Sequence, residues 1–422
     1  MLIEFSVSNF KSYKNKETFS MLAESGTELF DSNVIKTHSV EDINLLSSAV
    51  IYGPNASGKS NLFEAMDTMI DLIIETRQRG DKLTVKPYAF DKNYTNKGTE
   101  FEIIFLVDNV RYQYGFEVTK ERVLTEWLLS YPNKRPVNLF TREFINEKKG
   151  YEWNIGQALK GQKKLWQEST RSNALFLSTA TMLNSEQLSK VFDYFDKKVR
   201  VIGSDGLSKN ITDKLFSGGN DKSVLRDFLK SADFNIEDVK YEKHTIEDDD
   251  FPDDMPESMK EEIISDLRKM GLMETKFGHL DEDGGVKYLD FGEESSGTQR
   301  YYSFIGPWFY SLRNGFTLFV DELNENLHPL LVEFLVKLFN NPKTNKSGAQ
   351  LIFSTHETAI LSQEVFRRDQ VWFSEKSSKG FSKLYSLSEF RVRKGVENVE
   401  KNYLSGKYGA LPYFKDVMSI WE

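Results

Sequence analysis

Four short stretches of this chain hold residue types at spacings suited to phosphoryl chemistry. Residues 53–60 read Gly53-Pro54-Asn55-Ala56-Ser57-Gly58-Lys59-Ser60, the G-x-x-x-x-G-K-[ST] pattern of a phosphate-binding loop. Gly53 and Gly58 let the backbone turn so that its amides face phosphate oxygens, and a helix N-terminus after the loop would add its positive dipole end. Lys59 would neutralise phosphate charge and Ser60 would offer a hydroxyl to Mg²⁺. Asn55, Ser57 and the adjacent Asn61 complete the candidate nucleotide-binding set.

Far downstream, Phe316–Glu322 (FTLFVDE) is an apolar run ending in Asp321-Glu322. Carboxylates at the end of a core strand sit where open α/β sheets bind ligands. Asp321 would hold Mg²⁺, and Glu322 would orient and polarise an attacking water. The plainer reading is a strand that ends in surface acids. Leu351–His356 (LIFSTH) is a second such strand, whose His356 could hydrogen-bond a γ-phosphate or the water; a lone histidine is more often structural. Glu294–Arg300 (ESSGTQR) places Ser295, Ser296, Gly297 and Gln299 at a small-residue turn that opens a helical pattern. Such a turn can bind an anion or simply cap the helix. One nucleotide does not need two such turns, so this one is expected over the γ-phosphate held by a second protomer. Together the four stretches are the parts of an ATP-hydrolysing site.

The flanking patterns are those that would position these residues. Leu2–Val7 alternates like a strand, and Leu45–Tyr52 is a β-rich run leading into the glycine loop. After Ser60, Leu62, Met66, Met69 and Ile73 recur at helical spacing. Phe101–Val107 and Val110–Val118 flank Asp108-Asn109 as a hairpin with a two-residue turn, and further strand-like pieces follow at Leu124–Leu129 and Val137–Glu143. Asn173–Met182 returns to the core. Residues 185–285 carry helical patterns, many charges and an acidic run, Glu247–Asp254. That run is a docking surface or a solvated loop. From Tyr288 strand and helix patterns alternate again.

The chain has 422 residues, 39% of them apolar and 28% charged, as in soluble globular proteins with two or three domains or one domain with an insertion. A net charge of −9 excludes non-specific nucleic-acid binding over the whole surface, leaving open a local basic groove. The absence of cysteine excludes disulfide frameworks and thiolate metal sites and fits a cytoplasmic location. Neither a signal peptide nor a membrane span is expected.

These motifs resemble the ATP-binding-cassette class of P-loop ATPases, in its RecF/SMC/OLD-like branch. GPNASGKSNL is similar to that branch's Walker A motif, FTLFVDE to its Walker B, LIFSTH to its switch-histidine strand and SSGTQ to its LSGGQ signature, with Thr298 in place of the second glycine. The opening VSNFKSY resembles the branch's N-terminal element, which implies that Lys11 approaches the phosphates. The run from Asp321 to Pro329 is similar to the DE…LHP segment of RecF- and OLD-type ATPases. Within the branch, Tyr403–Pro412 most resembles the tail of RloA-like and abortive-infection ATPases. No clear Q-loop glutamine follows the β-subdomain, and the place to seek it is Leu183-Asn184. An appended TOPRIM nuclease domain is not expected after His356.

The implied fold is α/β, a P-loop NTPase of ABC-ATPase head type. It would have a mixed core sheet, an antiparallel β-subdomain and a mainly helical insertion. Residues 1–184 would form the first part of the head, 185–285 the insertion or lid, and 286–422 the rest. The implied activity is ATP hydrolysis with ATP and Mg²⁺ bound between two heads. Lys59, Glu322 and His356 come from one subunit, and Ser296 and Gly297 from the other. The resemblance implies control of a separately encoded effector, such as a TOPRIM-type nuclease, in bacterial antiphage defence. A RecF-like DNA-repair clamp and an ATP-binding scaffold with negligible turnover are the alternatives; a ring ATPase of the AAA+ class fits the switch histidine and the SSGTQ turn poorly. The tail residues Arg391, Arg393, Lys394, Lys401 and Lys407, with Tyr403 and Tyr408, form either a surface helix or a nucleic-acid contact.

Overall fold

The computed structural model describes residues 1–203, 207–218, 221–232, 234–243, 273–392 and 397–412. The acidic run Glu247–Asp254, together with Arg393 and Lys394, lies outside them. The chain divides into two compact units, one of Met1–Asp205, Ser311–Asn324 and Val332–Glu422, the other of Gly206–Tyr310 and Glu325–Leu331.

The first unit contains two large sheets. One is antiparallel and seven-stranded. It is built from β1 (Leu2–Ser8), β2 (Glu17–Ser20), β6 (Thr99–Val107), β7 (Val110–Val118), β8 (Val123–Tyr131), β9 (Val137–Asn146) and β10 (Gly150–Ile155), in the order β10-β9-β8-β7-β6-β1-β2. The expected hairpin is present: Asp108 and Asn109 take φ of 49° and 62°, the left-handed pair that a two-residue turn needs to match strand twist. Phe101, Ile103 and Phe105 alternate along β6 and are buried on one face. A two-stranded ribbon pairs β3 (Val34–Lys36) with β4 (Asn44–Leu46).

The other large sheet carries the chemistry. Its strands are β5 (Ser48–Tyr52), β11 (Val199–Ile202), β15 (Thr317–Val320), β16 (Gln350–Ser354), β17 (Val371–Lys376) and β18 (Ser382–Ser386), in the order β11-β15-β16-β5-β17-β18. All pairs are parallel except β17 with β18. β5, β15 and β16 are buried along their whole length, as strands covered on both faces are. The register sets Val320 beside Phe353 and Phe353 beside Val50, so the three strands end side by side at one edge. The helix Lys59–Ile74 buries Leu62, Phe63, Met66, Met69, Ile70 and Ile73. That stripe joins one apolar cluster with Phe101 and Ile103 of the antiparallel sheet and Ala49 and Ile51 of β5.

The second unit holds the helices Asn210–Phe216 and Lys222–Ser231 and the antiparallel strands β12 (Ile236–Lys243), β13 (Met273–Leu280) and β14 (Val286–Asp290). At its centre the buried Asp213 carboxylate accepts hydrogen bonds from Lys209 Nζ at 2.6 Å, Thr275 Oγ1 at 2.8 Å and Tyr302 Oη at 2.8 Å.

Three expectations meet a different structure. Residues 186–202, expected within the insertion, belong to the first unit: the helix Glu186–Lys198 buries Leu188, Val191 and Phe195 in its core, and β11 pairs with β15. An amphipathic helix presents the same pattern whichever core it covers. The insertion, expected at 185–285 and mainly helical, contributes the strands β12 and β13, and β14, just beyond its expected end, completes a three-stranded sheet with them in a unit that runs on to Tyr310. In the tail, Tyr403 and Tyr408 are not an exposed nucleic-acid platform. Both are buried, stacking on Phe373 at 5.3 Å and 5.8 Å, and Lys407 pairs with Glu397 at 2.6 Å.

A buried ion pair ties the antiparallel sheet to the helix Phe176–Met182. Glu126 on β8 meets Arg142 on β9 at 2.9 Å with both side chains fully buried. The same carboxylate accepts hydrogen bonds from Tyr114 Oη at 3.0 Å and from the backbone N–H groups of Phe176 and Leu177 at 2.7 Å and 3.1 Å. Removing one partner leaves a buried charge uncompensated, so Glu126→Ala should destabilise the protein by about 3–5 kcal/mol. Urea denaturation would read this as a lower midpoint, and a well-packed apolar replacement of both residues should recover most of the loss.

Candidate nucleotide site

β5 delivers the chain into the glycine loop, and Gly58 hands it to the helix that begins at Lys59. Gly58 has φ 116° and Gly53 φ 153°, and Ala56 between them has φ 63°. A Cβ on Gly53 would overlap the carbonyl oxygen of Ser374, and one on Gly58 would overlap Ser382 Oγ. Glycine is therefore required at both positions by close approach as well as by torsion. The loop is held from outside. Tyr13 Oη donates to Gly58 O at 2.9 Å, Ser374 Oγ donates to Ser57 O at 3.1 Å, and Ser382 Oγ donates to the same carbonyl. Asn61 Nδ2 donates to Ser12 Oγ at 2.7 Å, and the hydroxyls of Ser12 and Ser382 pair at the same distance, with Ser12 donating because the one Ser382 hydrogen is engaged by Ser57 O.

A cavity of about 630 Å³ opens over this loop, within the range of small-molecule sites. Asn55, Ser57, Gly58, Lys59, Ser60, Asn61, Lys11 and Glu322 all line it. Lys59 Nζ folds back onto the carbonyls of Gly53 and Pro54 at 2.7 Å and 3.2 Å. Burial pushes its pKa down, while the nearby carboxylates of Asp321 and Glu322 oppose that shift. A phosphate beside it would relieve the same penalty. Ser57 Oγ is buried and finds no partner among the described residues, an orphaned polar atom inside the loop that a bound anion could satisfy. Lys11 reaches the cavity wall but pairs with Glu64, and Lys86 lies 3.3 Å from the same carboxyl group. Burial and then the charge of Lys86 lower the Lys11 pKa.

The acidic pair lies at the end of β15. Asp321 is 5% exposed, and its Oδ1 accepts a hydrogen bond from Ser354 Oγ at the end of β16. Ser354 Oγ in turn accepts from the N–H of Glu322 at 2.8 Å. Glu322 has φ 53°, uncommon for a residue with a side chain, and its Oε1 lies 3.4 Å from His356 Nε2. Asn324 steadies the histidine turn: its Oδ1 accepts from Thr355 Oγ1 at 2.9 Å and from the N–H of His356 at 3.3 Å. Lys59, Glu322 and His356 are thus brought to one edge of one sheet.

Among the described residues no three His, Asp or Glu side chains form a self-sufficient metal cage. Mg²⁺ commonly uses one or two protein oxygens with phosphate and water, and the Ser60 hydroxyl and the Asp321 carboxylate are a hard-oxygen set of that kind. Leu183 and Asn184 end the helix Phe176–Met182 and do not line the cavity. Ser295, Ser296, Gly297 and Gln299 lie in the second unit, where the turn caps the helix Ser296–Asn314. There Thr298 N donates to Ser295 Oγ at 3.1 Å, and Gln299 Nε2 donates to Glu294 O at 2.8 Å. Ser354, Asn324, Ser12 and Ser382 were not singled out from the sequence. Ser354, Asn324 and Ser12 each lie within a motif read from the sequence, the switch strand, the run from Asp321 to Pro329 and the VSNFKSY element, whereas Ser382 carries no signal.

A family model described as "AAA domain, putative AbiEii toxin, Type IV TA system" matches residues 48–362. Its wording shares "AAA" with the ring ATPases set aside above but describes no assembly. Curated proteins give no significant match. Among solved structures, the SMC head domain from Thermotoga maritima aligns at 12% identity and a TM-score of 0.39, over 93% of this chain and 99% of that one. An SmcHead bound to the C-winged helix domain of ScpA aligns at 14% identity and TM-score 0.45, over 91% and 97%. An Smc head domain with an extended coiled coil, bound to the C-terminal domain of ScpA derived from Pyrococcus furiosus, aligns at 14% identity and TM-score 0.42, over 91% and 96%. Likenesses at this level carry no argument for function. No helix among the described residues is long and apolar enough to cross a membrane.

Gly53→Ala should distort the loop against the Ser374 carbonyl. Calorimetric titration with ATP should show affinity lost, with a fall in melting temperature, whereas Gly80→Ala, at a positive-φ turn with open space around it, should leave nucleotide affinity unchanged.

Proposed function

Because the chain belongs to this AAA-domain family of P-loop proteins, we propose that it is an ATP-hydrolysing clamp whose nucleotide state controls an effector. The observation that carries the reading is the position of Glu322. It lines the same cavity as Lys59, its backbone is fixed by Ser354, and its carboxylate stands 3.4 Å from His356.

In this reading the amides of residues 53–60 and the Lys59 ammonium hold the β- and γ-phosphates of ATP. Ser60 and Asp321 hold Mg²⁺, which when bound neutralises charge on the phosphate oxygens. Glu322 accepts a hydrogen bond from the attacking water and turns it towards the γ-phosphorus. His356 hydrogen-bonds the γ-phosphate or that water. The Ser295–Gly297 turn of a second protomer closes over the γ-phosphate, so that two heads enclose two nucleotides. ATP binding closes the pair and hydrolysis loosens it.

The family's description, which names a toxin of a toxin–antitoxin system, supports a place in abortive antiphage defence. Within it the clamp would hold or release a separately encoded effector such as a TOPRIM-type nuclease, as in the RloA-like ATPases that the tail resembles. The same description leaves a second outcome, in which the chain is itself the toxic component; toxicity of the chain expressed alone, abolished by Lys59→Ala, would identify it.

Light-scattering mass, measured with and without ATP, tests the clamp. Glu322→Gln should bind ATP and accumulate as a closed dimer or a larger assembly, and Lys59→Ala should remain in its nucleotide-free state because it no longer binds ATP. A mass indifferent to ATP in every variant would remove the composite site built on Ser296 and Gly297.

A further inference from the structure

The cavity lining also includes residues that the phosphate chemistry does not use: Lys86, Pro87, Ala89, Phe90, Lys376 and Gly380. Phe90 is 79% exposed, the most exposed of the large hydrophobic residues described. Its loop is nevertheless well anchored. Lys11 N donates to Lys86 O at 2.7 Å, and Tyr88 N donates to the buried Asn9 Oδ1 at 3.0 Å. Tyr88 Oη donates to Lys379 O at 3.2 Å, which ties the loop to the turn between β17 and β18. The Phe90 ring meets the buried Tyr88 edge-on, with centroids 5.7 Å apart. A fixed backbone thus holds an aromatic ring in solvent at the rim of a cavity whose floor is built for phosphate.

We propose that Phe90 is the base-stacking residue of the nucleotide site. The proposal rests on the reading of residues 53–60 as the phosphate cradle and adds the part of the ligand that this cradle leaves unbound. An exposed ring face recognises a planar heteroaromatic base by stacking, and covering it also removes apolar surface from water. The side chains of Lys86, Pro87, Ala89, Phe90 and Lys376 include no carboxylate and no amide, and the only hydrogen-bonding groups they bring are the two lysine ammoniums, which donate but cannot accept. Recognition here is by ring face. The cations Lys86 and Lys376 beside it suit a ligand that carries phosphate.

Calorimetric titration of the full chain with two probes, ATP and inorganic tripolyphosphate, tests this. Phe90→Ala should weaken ATP binding about tenfold, the scale of one base–aromatic stack, and leave tripolyphosphate binding unchanged. Phe90→Trp should restore ATP affinity. Because Phe90 is exposed, the melting temperature should not move. Equal ATP affinity in wild type and Phe90→Ala would overturn the stacking role alone. So would a parallel loss of both probes, which would mean a distorted loop. A wild type that binds neither probe would overturn the phosphate cradle and the base site together. Lys59→Ala, which should weaken both probes, separates failure of the cradle from failure of the stack.

Discussion

The hydroxyl of Ser354 sits between two consecutive acidic residues, and the arrangement of the site depends on it. It donates to the Asp321 carboxylate and accepts from the Glu322 N–H. Consecutive residues of a strand point to opposite faces, so Asp321 and Glu322 would diverge if β15 continued beyond Val320; of the two, Glu322 lines the cavity. The left-handed φ of Glu322 breaks that alternation, and for a residue with a side chain it costs on the order of 1–3 kcal/mol. The bond from Ser354 offsets part of that cost. The result is that both carboxylates act on Lys59, while Glu322 also comes within reach of His356.

The glycine loop is held by the same principle of external support. Its carbonyls at Ser57 and Gly58 are engaged by Ser374, Ser382 and Tyr13, residues remote from it in sequence. Beneath it, Tyr52 packs on Tyr403 with ring centroids 5.7 Å apart and donates a hydrogen bond to Glu357 O at 3.0 Å, just past the histidine turn. The strand that enters the loop and the turn that carries His356 are therefore joined through Tyr52. A cradle fixed before its ligand arrives needs little reorganisation when charge develops, and electrostatic stabilisation is most effective under that condition.

Much of this was legible in the sequence because its signals are local. The glycine loop, the Asp108-Asn109 turn and the apolar strands that end in Asp321-Glu322 and Ser354-Thr355-His356 each declare themselves within ten residues. The supporting contacts do not. Ser12 meets Ser382 across 370 positions, and Asn324 meets Thr355 across 31, with no residue pattern to link them. The helix Glu186–Lys198 was assigned to the insertion because its stripe of Leu188, Val191 and Phe195 specifies a buried face without specifying the partner. Tyr403 and Tyr408, set among basic residues, suggest a surface helix or a nucleic-acid contact, and their burial against Phe373 fits neither, because aromatic rings among charges do not declare a core in sequence. Phe90 carried no signal at all. An exposed phenylalanine is informative only once the cavity beside it is known.

The central claim is that Glu322 activates water for attack on a nucleotide held by residues 53–60. Single-turnover cleavage of ATP, with wild-type protein and Glu322→Gln each in excess over nucleotide, tests it most directly. The account predicts that both proteins bind ATP and that the variant cleaves it on the order of 10²–10³ times more slowly, as when one preorganised transition-state contact is removed. Equal cleavage rates in the two proteins would contradict it.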